Sequence, residues 1–122
     1  MKTRTEQTAT MEGLTSFCPS YTHALEVIGR RWTGAIVRSM LAGATRFSEI
    51  LADVPELSDR LLSQRLKQLE SEGIVERTVT PTTPVRIEYS LTEKGRALGS
   101  VVAAVAHWAE EWSEIPANSA GS

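Results

Sequence analysis

Three features of this 122-residue sequence predict a mainly α-helical chain with one β-hairpin. Apolar residues recur every three or four positions over most of its length, and the period switches once, between residues 74 and 90, to β-branched alternation. Glycine or proline stands at most of the junctions. The length suits one domain with a modest core, and 41% hydrophobic with 23% charged residues argues against disorder. The uncharged run Ala97 to Ala109 is too short to span a bilayer. Residues 1–16 lack the apolar stretch of a signal peptide, so a cytoplasmic location is expected. With Cys18 as the single cysteine, neither an intrachain disulfide nor a thiolate-rich metal site can form.

The elements follow in order. Residues 1–16 have no period and are expected to form a flexible arm. Cys18-Pro19 opens a helix through Ile28, with Pro19 in the first turn and Gly29 at the end. A second helix runs from about Trp32 to Ala42, with Trp32, Ile36, Met40 and Leu41 on its apolar face and Gly43 as the stop. A third spans about Phe47 to Ala52 and turns Phe47, Ile50 and Leu51 inward. Pro55 disfavours a helical Val54, so residues 53–57 form a turn. A fourth helix, over residues 58–72, has Ser58 as N-cap and Gly73 as its stop. Leu62, Leu66 and Leu69 mark its buried side, and Arg60, Ser63, Gln64 and Lys67 form the opposite stripe. Two strands joined by Pro81-Thr82-Thr83-Pro84 make a hairpin over 74–90. Thr92 caps a last helical region, broken near Gly95 to Gly99. Its later part sets Leu98, Val101, Val105, Trp108 and Trp112 on a heptad seam, read as a dimer interface. Residues 116–122 are expected to be a flexible tail, leaving 17–115 as the domain.

The formal net charge is −2, which alone argues against nucleic acid, but the charge is unevenly placed. Residues 30–67 hold an excess of three positive charges, and residues 107–122 an excess of three negative ones. A short helix, a tight turn and a longer helix with a polar stripe is the layout that lets one helix enter the major groove of DNA. On that helix Arg60 offers a fork to guanine O6 and N7, and Gln64 to adenine N6 and N7. Ser63 allows close approach, while Arg65 and Lys67 reach phosphates. At Ser58 the helix start offers backbone N–H groups to a phosphate oxygen. The hairpin would lie beside the duplex as a wing; its tip is uncharged, so Arg77 and Arg86 are the cations available there.

Several blocks also carry a family resemblance. Cys18-Pro19, the run Ala24 to Thr33, Arg46-Phe47-Ser48-Glu49-Ile50, Leu62 to Glu70, Gly73-Ile74-Val75-Glu76-Arg77 and Val85 to Gly95 occur in order and at suitable spacing. Together they resemble the HxlR-type winged helix-turn-helix transcriptional regulators, a MarR-related family, from about Cys18 to Trp112. The resemblance implies a homodimeric DNA-binding regulator that dimerises through its terminal helices. It also implies that the helix from Ser58 reads the major groove and that the hairpin at Thr82 and Thr83 touches the adjacent minor groove or backbone. The expected DNA-contact set is therefore Arg46, Ser58, Arg60, Ser63, Gln64, Arg65, Lys67, Thr82, Thr83 and Arg86.

Cys18 stands where some members of the resembled family sense oxidants or electrophiles. A helix N-terminus stabilises a thiolate there. The alternative is an inert packing thiol. Phe17, Tyr21, Trp32 and Trp108 are candidates for a pocket taking a small apolar effector, although Trp32 also suits the core. His23 and His107 have no partners at metal-ligand spacing, so no cofactor or metal is expected. No phosphate loop, nucleophile elbow or paired-carboxylate motif appears, which argues against an enzyme. The function expected is transcriptional regulation, as a repressor on a palindromic operator. A second reading stays open: a winged-helix module for protein contact or ligand sensing that does not itself bind DNA.

Overall fold

The structure, a computed structural model, describes residues 15–114. The expected flexible tail over 116–122 lies outside the described residues, as does all but the end of the expected arm. The elements are α1 (Pro19–Ile28), α2 (Thr33–Leu41), α3 (Phe47–Asp53), α4 (Asp59–Ser71), β1 (Val75–Thr80), β2 (Arg86–Leu91), the single turn α5 (Glu93–Arg96) and α6 (Gly99–Trp112). This is the expected order, a winged helix-turn-helix in which α2 to α4 pack around one core and the hairpin follows α4.

The core is built from complementary stripes. Ile36, Val37 and Met40 of α2 meet Ile50 of α3 and Leu62, Leu66 and Leu69 of α4, closed by Val54 and Leu57 from the turn and by Ile74 and Val75. Each fully buried leucine stabilises the fold by roughly 1.5–3 kcal/mol. Ser39, buried on α2, donates a 2.7 Å hydrogen bond to Asp53 Oδ2 and ties the end of α3 to the same layer. Phe47, Leu51 and Leu41 are half-buried at the core's edge.

Trp32 departs from the sequence expectation. It is not on the inward face of α2 but precedes that helix as its N-cap, in a left-handed conformation (φ 75°). Such a backbone costs a bulky residue of order 1–3 kcal/mol. The ring packs half-buried against the core from outside the helix, and the Arg31 guanidinium sits over it at 4.9 Å.

β1 and β2 pair antiparallel from Val75 opposite Leu91 to Thr80 opposite Arg86. Alternation puts Val75, Arg77 and Val79 on one face with Leu91, Tyr89 and Ile87. The base of that face is buried at Val75, whereas Val79 and Ile87 near the tip are exposed. Tyr89 N–H also donates to Thr45 O at 2.7 Å, so the chain entering α3 runs along the outer edge of β2.

The last helical region is broken as expected. α5 ends before Ala97 and α6 starts at Gly99. Neither α1 nor α6 has a buried residue.

Candidate nucleic-acid interface

α4 is fixed at both ends by its own sequence. At the start, Ser58 Oγ accepts from Leu61 N–H at 3.1 Å. Leu57 before the cap and Leu62 after it are both buried, at the positions of a hydrophobic staple. The N–H groups of Asp59 and Arg60 have no acceptor within the helix. Asp59 suits the helix dipole but places a carboxylate beside them.

At the other end Gly73 adopts φ 76°, which only glycine takes without strain. Ile74 N–H then reaches Leu69 O at 2.9 Å and Gly73 N–H reaches Glu70 O at 3.0 Å, a Schellman closure with Leu69 and Ile74 both buried. Two further donors arrive from α5 and the residue that caps it. Lys94 Nζ donates to Glu72 O at 2.7 Å, and Thr92 Oγ1 donates to Gly73 O at 2.5 Å while accepting from Gly95 N–H. Sequence reasoning assigned Thr92 only the capping role. Its grip on the end of α4 depends on a fold-level approach.

Between these ends Leu62, Leu66 and Leu69 are at most 2% exposed, while Arg60, Ser63, Gln64 and Lys67 are all exposed. None of the four side chains has a partner among the described residues. The stripe offers one guanidinium, one ammonium, one amide and one hydroxyl along two turns of helix.

Arg65 corrects the sequence expectation. At ~100° per residue it lies about 140° around the helix from Arg60, away from the stripe. It is half-buried, donating Nε–H to Arg31 O at 2.8 Å and Nη1–H to Gln68 Oε1 at 3.2 Å. It braces α4 against the turn before α2 and is not placed as a phosphate contact.

The other expected contacts come together beside the wing. Arg46, Thr82, Thr83 and Arg86 line one cleft of about 790 Å³ between the start of α3 and the hairpin. Ser48 and Thr80 add hydroxyls, and Val85 and Ile87 an apolar wall. A smaller cleft of about 250 Å³ joins α4 to the wing through Ser63, Lys67, Glu70, Arg77 and Tyr89. Arg77 therefore shares the ground of the α4 stripe. Strand alternation from Val75 places it on that face.

Glu49 holds Arg46 in position. Its Oε1 accepts Thr45 N–H at 2.9 Å and Arg46 N–H at 3.1 Å. These two backbone bonds, with the Arg46 charge, keep the carboxyl below its usual pKa. A depressed carboxylate contributes stability that is present above its ordinary pKa and lost as pH falls through the lowered value. Glu49→Gln should therefore melt below the native chain at neutral pH, and the gap should narrow in acid as pH falls through the lowered pKa. A gap unchanged by acid, in thermal melts at both pH values, would assign it to packing instead.

The proposed effector pocket is not assembled. Phe17, Tyr21 and Trp108 are 65–66% exposed, Trp32 packs on the core, and none of the four lines the clefts described here. Of the heptad seam, Leu98 packs on the core of its own chain, while Val101, Val105, Trp108 and Trp112 face outward. Cys18 is an exposed free thiol at the N-cap of α1. His23 Nε2 lies 3.2 Å from Glu72 Oε1 and links α1 to the end of α4, a contact with no signal in the sequence. His107 is exposed, and no group of three metal-ligating side chains occurs among the described residues. No helix among them is long and apolar enough to cross a membrane.

The sequence matches the HxlR-like helix-turn-helix family over residues 27–116, a span that begins after Cys18-Pro19. The HTH-type transcriptional regulator YvaP of Bacillus subtilis is 53% identical over 95 residues, covering 78% of this chain and 88% of that protein. YodB of the same organism has been solved in a reduced form; the two share 43% identity with a TM-score of 0.71, over 80% of this chain and 96% of that one. The redox regulator HypR in its oxidised form shares 38% identity with a TM-score of 0.73, over 80% of this chain and all of that one. Crystal structures of YodB are also described as diamide-treated and as quinone-bound. These relatives are regulators rather than enzymes, and the fold they share presents one amphipathic helix beside a wing. This chain belongs to the HxlR-like helix-turn-helix family of DNA-binding transcriptional regulators.

Proposed function

We propose that this regulator acts as a homodimeric repressor on a palindromic operator, with residues 17–115 as its DNA-binding and dimerising unit. In each protomer α4 enters the major groove. The carrying observation is the stripe Arg60, Ser63, Gln64 and Lys67, unpartnered on one side of a helix whose leucines are buried on the other. Arg46, Thr82, Thr83 and Arg86 hold the flanking backbone and the adjacent minor groove from the wing cleft. Two-fold symmetry sets the half-sites about one helical turn apart, ~10 bp or a multiple of it. Support for the dimer comes from α1 and α6, which have no fully buried residue and present Tyr21, Leu25, Val105 and Trp108 to solvent.

Cys18 serves as the sensing thiol. Its exposure and its place at the start of the outward-facing α1 support that role, as do the diamide-treated and quinone-bound states of the related YodB. Without a second cysteine, oxidation must give an intersubunit disulfide, a mixed disulfide or a sulfenate.

Selection of bound DNA from a random pool, with and without diamide, tests symmetry and redox response together. On the selected site Arg60→Ala should cost about 1–3 kcal/mol, with much less lost on random DNA. Equal losses on both would make Arg60 a phosphate contact. An asymmetric motif would remove the two-fold model.

A further inference from the structure

The turn between α1 and α2 has a geometry that its residues do not favour. Thr33 N–H reaches Arg30 O at 3.0 Å, and Trp32, the third residue of that turn, stands at φ 75° and ψ −15°. These angles are those of a type II turn, in which the third position normally goes to glycine. Relative to a type I turn, the peptide joining the second and third residues is turned over, so Arg31 O points to the other side. That carbonyl is the one that Arg65 Nε–H meets at 2.8 Å, from the middle of α4. Three further contacts hold the arrangement. The Trp32 ring packs against the core, the Arg31 guanidinium lies over that ring at 4.9 Å, and Gln68 Oε1 accepts Arg65 Nη1–H at 3.2 Å. A left-handed tryptophan carries backbone strain, and such strain clusters at functional sites.

We infer that this turn is a positioning device for α4: the overturned peptide presents Arg31 O to Arg65, and their hydrogen bond sets how far α4 is rolled about its own axis. The inference rests on the proposed reading of α4 as the helix in the major groove. The ends of α4 are fixed by Ser58 and Gly73, but along its length it meets the core through Leu62, Leu66 and Leu69. Burial of a leucine is non-directional, whereas a hydrogen bond has a preferred line. Arg65 projects from the edge of the buried side, about 70° from the centre of the three leucines and about 140° from Arg60. A tether at that edge resists rotation.

The magnitude of a small roll shows why the tether matters. At the ~5 Å radius of the helix surface, a roll of ~20° carries the outer stripe by about 2 Å. That exceeds the tolerance of a bidentate contact with a base, whose donor–acceptor distances span only ~2.7–3.2 Å. Arg65 is therefore a positioning residue for Arg60 and Gln64, and touches no nucleotide itself.

The test is binding of full-length Arg65 variants to the selected operator and to random DNA across a salt series, with thermal melts to show that each chain is folded. Arg65→Met keeps the length of the side chain without a donor, and should weaken operator binding about tenfold and random-DNA binding at most about twofold. Arg65→Gln places an uncharged N–H at the same distance along the side chain as Arg65 Nε, and should bind the operator within about threefold of native. Neither change should alter the slope of log affinity against log salt. A slope flatter by about 0.9 would make Arg65 a phosphate contact and overturn the inference. A glutamine variant as weak as the methionine one, or equal losses on operator and random DNA, would overturn it too. The turn is tested by Trp32→Gly and Trp32→Val. Both lose the ring, but only valine opposes the left-handed backbone, so it should bind the operator at least about fivefold more weakly than the glycine variant. Combining Trp32→Val with Arg65→Met should cost little more than the larger single loss. Arg60→Ala, measured beside them, separates two failures. Loss with Arg60→Ala but not with Arg65→Met would remove the positioning role alone. Loss with neither would remove the reading of α4 and this inference with it.

Discussion

Gly95→Val should leave a chain that does not unfold cooperatively or that loses about 3 kcal/mol or more, a large share of a small domain's stability. Gly95 is buried in α5, and any Cβ there would collide with the carbonyl of Ile74 and come within 3.0 Å of Leu91 Cδ2. The carbonyl cannot swing away. Ile74 O already accepts Thr92 N–H at 3.0 Å, and Ile74 N–H closes the end of α4. A side chain at 95 therefore pushes apart α4, the start of β1 and the turn that clamps both. Gly34→Ala is the control within the same fold. Gly34 lies in α2 and an added Cβ meets nothing within 4 Å. Its helical backbone suits alanine, so the change should stabilise by roughly 0.5–1 kcal/mol. Urea titrations of the three chains check both signs. A Gly95→Val chain within about 1 kcal/mol of native would mean that the approach of α5 to Ile74 is not required for folding.

The contrast between these glycines shows where sequence reasoning reaches and where it stops. Local chemistry was legible: Ser58 and Gly73 bracket α4, Leu62, Leu66 and Leu69 give its buried side, and β-branched alternation marks the hairpin. Each depends on neighbours within one turn or one strand. What remained hidden depends on approaches between distant segments. Arg65 finds its acceptor at Arg31 O, 34 positions earlier, and His23 meets Glu72 across 49. Periodicity counted Trp32 into a helix that starts one residue later, because a left-handed residue breaks the pattern without changing the composition. The proposed DNA face was legible in its α4 half for the local reason. Its wing half, Arg46, Thr82, Thr83 and Arg86, was expected from the family resemblance, but that these residues line one cleft depends on the pairing of Thr45 with Tyr89 beside β2.

Introducing two charges into the outward stripe of α6, as Val105→Glu with Trp108→Glu, should convert the proposed dimer into a folded monomer and weaken operator binding by about a thousandfold. At ~100° per residue Val101, Val105, Trp108 and Trp112 fall within about 60° of one another. Their exposures rise along the helix from 39% to 69%. A contiguous row of two valines and two tryptophans is costly to leave in water, at roughly 25 cal/mol per Å² of apolar surface, and a two-fold partner presenting the same row would cover it. Carboxylates in that row would have to be desolvated or would face each other across the axis, so association is lost. Within one protomer both side chains already face solvent, so the isolated fold should keep its melting transition and helical content. The loss on DNA follows from valency. Two linked recognition helices bind a palindrome far more tightly than one, by factors of about 10²–10⁴. His107→Glu adds like charge to the same helix but roughly 130° from the centre of the row, and should change neither property. Analytical ultracentrifugation with operator titration reads both outcomes. A double variant that still sediments as a dimer would move the interface off α6, leaving the Tyr21 and Leu25 face of α1 to supply it.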